Sequence, residues 1–181
     1  ILLDEQKLVY ETALALSEKA QKHGKQVLIV KGGPGTGKSV VAINLLVEIT
    51  RRKHLVQYVT KNKAPREVYK EKLFGTITKI RYDALFRGSG GFHNVPFDAF
   101  DTLVVDEAHR LNEKSGLYGN QGENQVKEII EASRCAIFFL DEDQRVTLKD
   151  IGTKVEIKKW VKRMKAEVTE MELSSQFRCN G

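Results

Sequence analysis

Residues 32–39, Gly32-Gly33-Pro34-Gly35-Thr36-Gly37-Lys38-Ser39, fit the pattern G-x-x-x-x-G-K-[ST]. The chemistry of that spacing is polyphosphate binding. Glycines let the backbone take positive φ and bring its N–H groups close to phosphate oxygens. A helix beginning near Gly37 adds the positive end of its dipole. Lys38 reaches the β- and γ-phosphates, and the Ser39 hydroxyl is placed to ligate Mg²⁺. The expected ligands are therefore ATP, or another nucleoside triphosphate, and Mg²⁺, with Gly32 to Ser39 forming the cradle.

Three further segments carry groups that such a site needs. Leu103-Val104-Val105-Asp106-Glu107 ends an apolar run on two carboxylates. Asp106 is suited to hold Mg²⁺ opposite Ser39, and Glu107 to orient and deprotonate an attacking water. In Leu140-Asp141-Glu142-Asp143-Gln144-Arg145, the Gln144 amide can hydrogen-bond both a γ-phosphate and a lytic water. In Ser175-Gln176-Phe177-Arg178, Arg178 offers a rigid donor fork for a phosphoryl group.

These residues need elements to position them. Leu2 to His23 has the spacing of an amphipathic helix, which Gly24 ends. Gln26 to Lys31 reads as a buried strand, and Val40 to Val47 as the helix after the phosphate loop, running to Arg51-Arg52-Lys53. Leu55–Thr60, Phe100–Val105, Cys135–Leu140 and Val168–Leu173 read as strands. Helices are expected over Pro65 to Phe74, Asn124 to Ser133 and Val155 to Lys165, a flexible loop at Gly88-Ser89-Gly90-Gly91, and a mobile segment over Asn112 to Gly122. Apolar strands alternating with helices define an α/β fold of three layers, a mainly parallel sheet with helices on both faces. The site then belongs at the carboxyl ends of the strands.

Composition narrows the class. The chain has 181 residues, 41% hydrophobic and 30% charged, which suits one globular domain with a real core. No apolar run approaches the roughly 20 residues of a membrane span. Cys135 and Cys179 are far apart and belong to no metal or redox motif; Cys135 reads as a core residue, and a cytoplasmic, reducing setting is expected. The net charge of +6 is compatible with a polyanionic partner. Part of it lies in Lys158-Lys159-Trp160-Val161-Lys162-Arg163-Met164-Lys165, either the solvated face of an amphipathic helix or a nucleic-acid-facing patch.

The order of the four segments (phosphate loop, D-E strand end, D-x-Q, aromatic-preceded arginine) resembles the first motor domain of superfamily 1 helicases, a RecA-like P-loop NTPase. The chain is most similar to the Schlafen-type helicase-like family. The similarity lies in residues 105–112 (Val105-Asp106-Glu107-Ala108-His109-Arg110-Leu111-Asn112), in Gly122-Glu123-Asn124-Gln125, in residues 139–145 and in Gln176-Phe177-Arg178-Cys179-Asn180-Gly181. The resemblance implies that Gln6 reads the adenine edge, although it fits a plain surface glutamine as well. It implies that Thr60 and Lys61 touch single-stranded DNA or RNA, and that Arg178 contacts the γ-phosphate. His109 is implied to link the nucleotide to a second domain or to nucleic acid, a capping or packing role being the alternative. Residues 1–181 then form one RecA-like ATPase domain of a larger protein whose second motor domain lies elsewhere, so the isolated domain binds nucleotide but hydrolyses it slowly. Three functions stay open: a nucleic-acid motor, an NTP-dependent regulatory switch without unwinding, and a kinase, the last disfavoured because D-E followed by D-x-Q points to water as nucleophile.

Overall fold

The computed structural model describes residues 2–61, 84–115, 119, 121–141 and 151–174. Helix α1 (Asp4–His23) leads into β1 (Gln26–Gly32), α2 (Lys38–Arg51) and β2 (Val56–Thr60). Next come β3 (Phe86–Gly88), β4 (Phe100–Val105), α3 (Gln125–Ala132), β5 (Ser133–Leu140), α4 (Lys154–Arg163) and β6 (Glu167–Leu173). The expected helix at Pro65 to Phe74 lies outside the described residues, as do Gln144, Arg178 and Cys179.

The six strands form one sheet in the order β3-β2-β4-β5-β1-β6, and every pairing is parallel. Successive strand residues face opposite sides, and here both sides are apolar. Leu28 and Val30 of β1, Val104 of β4 and Ile137 and Phe139 of β5 pack with Val9 and Ala13 of α1 and Val41 and Leu45 of α2. Their neighbours Val27, Ile29, Leu103, Val105, Ala136 and Phe138 pack with α3 and with Ile157 and Val161 of α4. The result is the expected three-layer α/β architecture, because strands this apolar can be stable only when covered on both faces. Each fully buried Leu, Ile or Phe contributes about 1.5–3 kcal/mol. Cys135 is one of these core residues, and burial pushes its thiol up to about 12.

Boundaries and loops depart from the sequence expectation in informative ways. Helix α1 begins at Asp4, because Leu3 is extended and its N–H donates to Gln6 Oε1 at 3.1 Å. Strand β5 starts at Ser133 rather than Cys135, and Ser133 Oγ closes α3 by donating to Ile129 O at 2.8 Å. The stretch expected as a flexible loop is regular: Gly88 ends β3 and Ser89–Gly91 is a 3₁₀ turn. Arg87, with its guanidinium 4.9 Å from the Phe92 ring centroid and 5.8 Å from that of Phe100, roofs this turn. Within the segment expected to be mobile, Ser115 and Gln121 exchange backbone hydrogen bonds, and Gln125 braces them through Ser115 Oγ. Among the described residues no helix is long and apolar enough to cross a membrane.

Because all strands run the same way, Gly32, Thr60, Asp106, Asp141 and Ser174 reach one edge of the sheet together. Strand β5 lies between β1 and β4, so a crevice opens over its end, between the phosphate loop and the Asp106 turn.

Candidate functional site

That crevice is a cleft of about 260 Å³ lined by the loop residues Pro34 to Ser39 and by Asp106, Glu107, His109 and Asp141. The loop owes its shape to two left-handed glycines, Gly35 at φ 76° and Gly37 at φ 83°. A Cβ on Gly37 would stand 2.1 Å from Gln6 Nε2, so a side chain there would displace the glutamine amide, and the positive φ itself favours glycine. Gln6 Nε2 donates to Thr36 O at 3.1 Å, and Thr36 Oγ1 donates to Gly33 O at 2.8 Å. A Cβ on Gly33 would meet nothing; what this residue contributes is its carbonyl, which accepts from Lys38 Nζ at 2.8 Å. Gly32 O accepts from the same ammonium. Burial lowers the Lys38 pKa, opposed by the carboxylates of Asp141 and Asp106.

Across the cleft, Asp106 follows Val104 on the α2-facing side of the sheet, which aims its carboxylate at the start of α2. Ser39 Oγ donates to Asp106 Oδ2 at 3.0 Å, and the Glu107 N–H donates to Oδ1 at 2.9 Å. Asp106 is 5% exposed. Glu107 has φ 50° and ψ 42°, a left-handed conformation that a non-glycine residue rarely adopts and that concentrates at functional sites. Its Oε2 is buried without a partner among the described residues.

His109, on the 3₁₀ turn Ala108–Arg110, receives the Asp141 N–H at Nδ1 (3.2 Å). The donor fixes the tautomer: Nδ1 carries the lone pair and Nε2 the proton. Burial lowers the His109 pKa, with Glu107 and Asp141 acting in the other direction. Gly152 lies against this turn so closely that a Cβ would be 1.5 Å from Ala108 O.

The donor set suits a hard cation and a polyphosphate. Ser39 and Asp106 offer oxygens, the ligand type Mg²⁺ requires, and Mg²⁺ takes only one or two protein ligands beside phosphate oxygens and water. Among the described residues no group of three or more His, Cys, Asp or Glu gathers as a protein-only metal cage.

Thus the structure brings together Gln6, Gly32 to Ser39, Asp106 and Glu107. Lys61 is at the same edge, donating to Asn112 Oδ1 at 3.3 Å. Thr60 differs: it is 1% exposed, so its side chain faces the interior. Gln144 and Arg178 lie outside the described residues. Sequence reasoning assigned no role to Asp141 or Tyr58, both of which touch this site. Tyr58 Oη donates to Asp106 Oδ2, a contact that depends on the sheet order and has no signal in the strand's own residues.

A parallel sheet of this order with a phosphate loop after β1 and an acidic turn after β4 defines a P-loop NTPase domain of the RecA-like type. Residues 25–181 match the family model for the Schlafen group 3, DNA/RNA helicase domain, and the chain belongs to that family. In fold it is similar to the Pif1 helicase from Candida albicans, at a TM-score of 0.54 and 16% identity over 98% of this chain and 41% of that one. It is also similar to the Sulfolobus solfataricus SWI2/SNF2 ATPase core in complex with dsDNA, at a TM-score of 0.53 and 13% identity over 95% of this chain and 44% of that one. The chain thus spans less than half the length of either structure. Comparison with curated proteins gives no match. Family and fold together make this a helicase-like NTPase motor domain.

Proposed function

We propose that this domain binds and hydrolyses ATP with Mg²⁺ as the first motor domain of a superfamily 1 type helicase or translocase. The observation that carries the reading is the Ser39 Oγ to Asp106 Oδ2 hydrogen bond of 3.0 Å, which joins the phosphate loop to the acidic turn within one cleft. In this reading the loop N–H groups and Lys38 bind the phosphates, and Lys38 exchanges its carbonyl partners for phosphate oxygens. Ser39 and Asp106 hold Mg²⁺, which when bound neutralises charge developing on the phosphate oxygens. Glu107 orients the lytic water and takes its proton; its Oε2, buried without a partner among the described residues, supports this role. Gln6, fastened to the loop at Thr36, is the candidate base contact. Gln144 is proposed to sense the γ-phosphate, and Arg178 to contact it.

Single-stranded DNA or RNA is the proposed partner, met at Lys61, with the buried Thr60 shaping the backbone beneath it. A second motor domain completes the ATPase, and the isolated domain turns over slowly in a cytoplasmic setting. The test is the Mg²⁺-dependent ATPase rate of the full-length protein with and without single-stranded DNA or RNA, Glu107→Gln serving as the blank. Stimulation by a strand supports a motor; hydrolysis indifferent to either strand replaces it with the regulatory switch.

A further inference from the structure

Tyr58 is fully buried on β2, and a buried phenol needs a hydrogen-bond partner. Tyr58 stands opposite Val104 in the β2–β4 register, and Asp106, two residues on, shares that face. The hydroxyl donates to Asp106 Oδ2, the oxygen that also accepts from Ser39 Oγ. The ring is confined by its neighbour Phe86, with centroids 5.3 Å apart at 43°. The phenol oxygen is therefore a fixed point against which the carboxylate is set. Phenylalanine would fill nearly the same space; what the tyrosine adds is a donor to this one acidic group.

We propose that Tyr58 is a positioning residue for the Mg²⁺ site, its hydroxyl holding the Asp106 carboxylate in the rotamer that faces Ser39. The inference rests on reading Ser39 and Asp106 as the Mg²⁺ residues. Partners that orient a ligating carboxylate typically change metal affinity by about 10- to 100-fold when removed. With the hydroxyl gone, Asp106 keeps the Glu107 N–H and Ser39 but loses the donor anchored in the core.

The experiment is a Mg²⁺ titration of the full-length protein's binding to a fluorescent, non-hydrolysable ATP analogue, comparing wild type with Tyr58→Phe. The half-saturating Mg²⁺ concentration is expected to rise about tenfold or more, with metal-free analogue affinity unchanged. ATPase activity should recover at high Mg²⁺, which a packing defect would not allow. An unchanged Mg²⁺ midpoint overturns the inference. So does an equal loss of affinity with and without metal, or a melting temperature in EDTA that falls below the assay temperature. Asp106→Asn separates the two claims: if it binds analogue with wild-type Mg²⁺ dependence, the metal-site reading itself fails, whatever Tyr58 does.

Discussion

At the amino ends of the strands, Lys25 sets its ammonium on Asp98 Oδ1 at 2.7 Å, on Ile130 O at 2.8 Å and on Ser133 O. Nearby, Lys19 pairs with Glu167 at 2.8 Å and Arg52 with Glu18 and Glu48. At the carboxyl ends the pattern reverses. Thr60 Oγ1, Glu107 Oε2, His109 Nε2 and Arg110 Nε are buried without partners among the described residues. An unsatisfied buried polar atom costs about 1–3 kcal/mol. One edge commits its charged groups to the fold; the other, where the proposed site lies, leaves these polar atoms unpaired among the described residues, and the apolar sheet between them supplies the stability this requires.

The contrast is sharpened first by Glu107→Gln, expected to slow hydrolysis by about 10²- to 10⁴-fold while ATP binding survives, as read by single-turnover assay and binding titration. Next is Lys38→Ala. Hydrogen bonds to charged groups are worth about 1.5–3 kcal/mol, so ATP affinity should fall by roughly 10- to 100-fold. The melting temperature should hardly move, because a half-buried ammonium is removed with its desolvation cost. Lys25→Met should do the converse: about 2 kcal/mol of stability lost, a melting temperature lower by about 4–8 °C, and nucleotide affinity intact. Loss of nucleotide affinity in Lys25→Met, or of fold stability in Lys38→Ala, would erase the distinction between the edges.

The parts legible in the sequence were those whose chemistry is local. The phosphate loop is contiguous, and its glycines, lysine and serine are each required at fixed offsets, so the pattern and the geometry coincide. The strands β1, β2, β4 and β5 announced themselves as apolar runs. Strand β3 did not: three residues, Phe86–Gly88, carry no periodicity, and their order comes from pairing with β2 and from Arg87 lying over two aromatic rings. The Asp106 network was half legible. Asp106 and Glu107 stand out at a strand end, but Tyr58 and Asp141 enter only through the sheet order, which sets β2 and β5 on either side of β4. The role of Thr60 was implied by the family resemblance alone; the structure adds that its side chain is buried at the end of β2.

His109 is expected to give the smallest effect, and it tests the edge contrast through pH. Its Nδ1 accepts from the Asp141 N–H, so protonation there removes a hydrogen bond and places charge in a partly buried site. Burial lowers the folded-state pKa below the ordinary 6.5, opposed by the carboxylates of Glu107 and Asp141. Between the two values the unfolded chain binds more protons than the folded one, so stability rises with pH. The contribution is fully present above about pH 6.5 and declines as pH falls from there through the lower folded value. Denaturant melts from pH 8 to pH 5 should therefore show wild type losing stability on acidification, with His109→Gln removing part of that slope. Equal slopes in the two proteins would mean that His109 titrates alike in the folded and unfolded chains.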